Sequence, residues 1–135
     1  MAQLPLLTAV TLFICGSVGW TETLPYGYLI RCQLGHSDNG TPVDAVVTND
    51  ATVAGKVIIA KNSALHFAGS PVRKLGRLQM TGDWTLVDPA TAKEYKIKAQ
   101  VLEGQGKENG MIGINEQEMQ SGPPIYLYLL DSFVR

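Results

Sequence analysis

Two histidines, His36 and His66, and two cysteines, Cys15 and Cys32, are the side chains of this chain best suited to proton transfer, nucleophilic attack or soft-metal binding. They are scattered, and neither histidine has a second His or Cys at ligand spacing, which argues against zinc. The run His36-Ser-Asp-Asn-Gly-Thr-Pro-Val-Asp44 gathers oxygen donors. It lacks the regular alternation and distal Glu of a calcium loop, and Asp, Asn and Gly at this density form a plain surface turn. Ser37-Asp38-Asn39 matches one element of the β-lactamase set without its companions, and the glycosylation acceptor Asn39-Gly40-Thr41 is disfavoured by Pro42. Gly104-Gln-Gly-Lys-Glu-Asn-Gly110 has no Ser or Thr beside its lysine and so is not a phosphate-cradling loop. A Ser-His-acid arrangement would have to be assembled entirely by the fold. The expectation is a non-enzymatic chain with no catalytic residue, no metal and no cofactor.

Charge excludes a further class. Eleven Lys and Arg face twelve Asp and Glu for a net charge of −1, leaving no electrostatic footprint for a nucleic-acid backbone. Arg73, Lys74 and Arg77 form a small basic patch near Asp83 and Asp88 and read as a solvated edge. With 45% hydrophobic and 17% charged residues in 135, the chain has the material for one core. No charged residue occurs from Leu4 to Trp20, and Leu6 to Cys15 is an apolar core of signal-peptide length. Residues 1–19 are therefore expected to be a signal peptide ending at the small residues Ser17 and Gly19, or a short anchor. Either leaves residues 20–135 exported, in the periplasm or associated with the outer membrane, touching a membrane only by association or through an uncleaved N-terminus. Cys32, inside an apolar run, is expected to be a buried, inert thiol.

The elements that would position any site are strands. β-Branched and aromatic runs bounded by Gly, Pro, Asn and Asp predict strands near Tyr26–Leu34, Pro42–Thr48, Lys56–Ala60, Ala64–Gly69, Leu75–Thr81, Trp84–Val87, Glu94–Leu102 and Ile125–Val134. From Glu94 onward the alternation is clean, with Tyr95, Ile97, Ala99 and Val101 on one face and Lys96, Lys98 and Gln100 on the other. Ala54-Gly55, Lys61-Asn62-Ser63 and Asp88-Pro89-Ala90-Thr91 supply turns. About eight short strands at this spacing predict an all-β domain, a small barrel or compact sandwich. Between residues 103 and 124 the pattern gives way to a Gly-rich loop with one helical turn around Asn115–Gln120.

The succession Leu24-Pro-Tyr-Gly-Tyr-Leu-Ile-Arg-Cys32, Thr41-Pro-Val-Asp-Ala-Val-Val-Thr-Asn-Asp50 and Val53-Ala-Gly-Lys-Val-Ile-Ile59 resembles the C-terminal β-barrel domain of the TrbI-like family. Arg77-Leu-Gln-Met-Thr-Gly-Asp-Trp84-Thr-Leu-Val-Asp-Pro89 and Ile125-Tyr-Leu-Tyr-Leu-Leu-Asp-Ser-Phe133 extend the likeness. That family builds the outer-membrane core complex of conjugation and type IV secretion systems. Where members carrying a helical antenna insert it, this chain has only the Gly-rich loop, too short for two membrane-spanning helices. The resemblance implies a structural envelope subunit without a helical pore of its own, acting through homo-oligomer formation and contacts with other secretion-complex proteins. Met111, Ile112 and Ile114 on the loop, with Tyr126 and Tyr128 on the last strand, are the candidate interface residues, and Trp84 is expected in the core. The alternative is a monomeric secreted binding module that grips a small ligand, glycan or peptide with the Gly-rich loop.

Overall fold

A computed structural model describes residues 22–35 and 44–135. The apolar N-terminal segment and the run from His36 to Val43, with its glycosylation acceptor, lie outside the described residues. The remainder is all-β. Six strands, β2 (Leu29–Leu34), β3 (Asp44–Val47), β6 (Ala64–Phe67), β9 (Thr81–Val87), β10 (Glu94–Glu103) and β12 (Pro124–Leu129), close into a barrel in that ring order. Every pairing is antiparallel and each strand neighbours the next barrel strand along the chain, so the topology is up-and-down. Closure comes from β12 against β2, in register from Pro124↔Gln33 to Tyr128↔Leu29.

The alternation read from the sequence is what makes the wall. β2 turns Ile30, Cys32 and Leu34 inward and Leu29, Arg31 and Gln33 outward. β10 does the same with Ile97, Ala99 and Val101 inside, while Tyr95 packs edge-on against Phe133 at 5.8 Å. A six-stranded barrel leaves an interior that side chains alone can fill. Trp84 is fully buried there, 5.1 Å from Phe67 by ring centroids. Burial pushes the Cys32 thiol up to about 12, in keeping with an inert core sulfur.

The connections form caps. At one end, β1 (Thr23–Leu24) pairs with β13 (Phe133–Val134), beside the hairpin of β4 (Ala51–Val53) and β5 (Lys56–Ile59). Ala54 and Gly55 form the two-residue turn of that hairpin, both at positive φ, and Asn62 is left-handed, as the sequence indicates. Asp88 caps the next turn by accepting from Ala90 and Thr91 backbone N–H groups. At the other end, β7 (Val72–Lys74), β8 (Arg77–Gln79) and β11 (Ile114–Asn115) form a three-stranded sheet followed by a 3-10 helix, Glu116–Ser121. The Asn115 side chain caps this helix by accepting from the Gln117 N–H.

Three expectations about elements need correction. Leu75–Thr81 is not one strand, because Leu75 and Gly76 are the turn of the β7–β8 hairpin and Thr81 opens β9. Ile125–Val134 is broken at Asp131 and Ser132 into β12 and β13. The Gly-rich segment is more structured than a loop, since Ile114 and Asn115 pair with Leu78 and Arg77.

Candidate functional site

Side chains that do not point into the barrel must face solvent or a partner; the outer face of β10 is mostly polar (Glu94, Lys96, Lys98, Gln100), but apolar and aromatic side chains gather where Leu102, Tyr126, Tyr128 and Leu29 meet. Register places Leu102 opposite Tyr126 and Tyr126 opposite Arg31; Gln100 opposes Tyr128 and Tyr128 opposes Leu29. Ile112 bridges to Leu102 from the adjoining loop. Tyr26 meets the Tyr128 ring edge-on at 5.9 Å, and its hydroxyl beside Tyr128 raises that phenol's pKa. The Arg31 guanidinium lies 5.5 Å from the centroid of Tyr126. The result is one stripe across three strands and the loop. Tyr26 is 64% exposed, Leu29 45%, Met111 49% and Ile112 46%.

Of the five interface residues expected from the sequence, the fold brings Ile112, Tyr126 and Tyr128 onto this stripe, with Met111 exposed next to Ile112. Ile114 is a correction. It is fully buried, paired with Leu78 in β11, and belongs to the core. The reversal happens at Gly113, whose φ is +81° and where a Cβ would lie 2.7 Å from the Leu78 carbonyl oxygen. That close approach directs the chain back onto the barrel. Tyr26, Leu29 and Leu102 were missed. In Tyr28-Leu-Ile30 three apolar residues run together, so type alone cannot tell which one faces out.

Arg77 is the second correction. Instead of joining a solvated basic edge, its side chain is 13% exposed. Nη2 donates to Glu103 Oε1 at 3.2 Å and to the Gly113 carbonyl at 2.9 Å, and Nε donates to the Ile112 carbonyl at 2.9 Å. Glu108 Oε1 lies 3.0 Å from Nη1. Glu103 itself is 2% exposed because strand alternation carries it inward as the last residue of β10. Its carboxylate also accepts from the Asn115 N–H at 2.8 Å. Arg73 pairs with Glu116, tying the same hairpin to the 3-10 helix. A cleft of about 700 Å³ opens beside this cluster, walled by Glu103, Lys107, Glu108, Asn115 and Glu118.

His66 Nδ1 is bonded to Asp44 on the outer wall, with half or more of each side chain exposed. Thr85 is the cross-strand neighbour of His66. Among the described residues, no three His, Cys, Asp or Glu side chains converge as metal ligands. No helix among them is long and apolar enough to cross a membrane. No protein-family model matches the chain, and no curated protein sequence matches it.

Proposed function

We propose that this chain is a non-enzymatic scaffold subunit of the cell envelope, similar in role to the outer-membrane core component of TrbI-like conjugation and type IV secretion systems. It works by docking to copies of itself and to neighbouring envelope subunits. The observation that carries this reading is the outward stripe of Tyr26, Leu29, Leu102, Ile112, Tyr126 and Tyr128. Tyr26, Leu29 and Ile112 are exposed, Leu102, Tyr126 and Tyr128 lie half-buried among them, and apolar surface gathered in this way marks interaction sites. Tyrosines suit such a surface because they bury ring area while keeping a hydroxyl for the rim.

Sedimentation velocity on the purified chain tests it. Wild type should associate reversibly, whereas Leu29→Ser combined with Tyr126→Ser should sediment as a monomer with an unchanged β-sheet circular dichroism spectrum. A wild-type monomer across the whole accessible concentration range would sink the scaffold reading. That result would favour the monomeric binding module, for which the cleft beside Lys107 and Glu118 is a geometric argument.

A further inference from the structure

The Gly-rich segment that presents Met111 and Ile112 is held by a short set of backbone bonds, among them Met111 N–H to the Glu108 carbonyl and Gly113 N–H to the Val101 carbonyl. It carries glycines at 104, 106, 110 and 113, three of them at positive φ, and glycine loses more backbone freedom on ordering than any other residue. One side chain reinforces those backbone bonds at the point where the apolar residues emerge. Two consecutive carbonyls, those of Ile112 and Gly113, accept from one guanidinium, while the same Arg77 holds Glu103 and lies against Glu108. Glu103 completes the clasp with its backbone, since its carbonyl accepts from Gly110 and its N–H donates to the Met111 carbonyl. The segment is thus gripped where its apolar residues emerge. The grip is a planar fork with several donors, a geometry that a lysine ammonium cannot reproduce.

We infer that Arg77 is a positioning residue for the docking stripe: it fixes the backbone of 110–113 so that Met111 and Ile112 are presented in one orientation. This rests on the reading of the stripe as an interface. A buried ion pair contributes little net stability relative to apolar substitutes, so its role here is to select one conformation of a glycine-rich segment. Ordering the segment before contact removes an entropic cost from association.

The test pairs amide hydrogen exchange with sedimentation on Arg77→Lys, on Met111→Ser with Ile112→Ser, and on the double substitution Arg77→Met with Glu103→Met. Arg77→Lys keeps a charge for Glu103 but loses the fork. The Met double removes the charge problem should the lysine variant fail to fold. In both, the amides of Gly110, Met111 and Gly113 should exchange at least about tenfold faster, equivalent to about 1.4 kcal/mol, with association weakened alongside. The serine pair should weaken association and leave those amides protected. Unchanged exchange in both Arg77 variants, or faster exchange with unaltered association, overturns the inference. If neither wild type nor the serine pair shows any association to lose, the interface reading fails and takes the docking role of Arg77 with it. The exchange data would then report separately whether Arg77 orders the segment.

Discussion

Cys32 shows how one position is set by its neighbours. The thiol sits in the barrel wall facing inward, 1% exposed, and donates weakly to the Ile30 carbonyl. Burial raises its pKa from 9.0 to about 12, so the folded protein retains a proton that the unfolded chain releases near pH 9. The stability linked to this group is intact below pH 9 and is lost as pH rises toward about 12. Denaturant melts of wild type and Cys32→Ala should therefore converge above pH 9, and a constant gap would show that the thiolate is solvated in the folded state. Arg77 obeys the complementary rule. Arg77→Met alone strands a buried carboxylate and should cost about 3–5 kcal/mol, whereas adding Glu103→Met should recover most of it. Equal losses in the single and double variants, read from urea unfolding, would mean that Glu103 does not depend on this arginine.

Among the elements, the β7–β8 hairpin is the one whose chemistry and geometry disagree. Leu75 has φ of +52° and is 93% exposed, so it bears left-handed strain while burying nothing. Ala54 holds the equivalent position in the β4–β5 turn. Leu75→Asn should stabilise the chain by about 0.5–1 kcal/mol, measurable as a higher thermal midpoint, because Asn tolerates this conformation. A lower midpoint would show that Leu75 makes a stabilising contact. The same residue explains why the hairpin was illegible in the sequence: leucine carries no turn signal, so Leu75-Gly76 read as the start of a strand. Where composition and geometry agree, as in the alternation of β10 or the Ala54-Gly55 turn, strands and turns could be placed closely. The stripe was half legible, because residue type nominates Tyr126, Tyr128, Met111 and Ile112. Its extent depends on β12 pairing with β2, a contact between chain segments far apart in sequence. Ile114 and Arg77 were misplaced for that reason too, since β11 and the clasp exist only once the loop has returned to β8.

On the scale of the whole molecule, closure removes the edges that would otherwise invite uncontrolled strand pairing. Edges remain only in the small sheets among the described residues, where strands are two to four residues long and β7 carries Arg73 and Lys74. With a net charge of −1 and an apolar stripe, self-association should persist or strengthen as salt is raised. Dissociation in high salt, followed by light scattering, would identify ion pairs as the driving contacts and move the interface away from the stripe.

The pairing of β1 with β13 sets how the fold would bear mechanical load. Thr23 lies opposite Val134, and the Arg135 N–H donates to the Glu22 carbonyl, so both ends of the described chain leave from the same side of a two-residue ladder. Tension applied between those ends would peel the ladder one bond at a time. The barrel, sealed independently by the seam of β12 and β2, would remain shut until a higher force. Leu24 and Phe133, the inner residues of that ladder, are buried in the core, so peeling it would draw apolar side chains out of that end of the barrel.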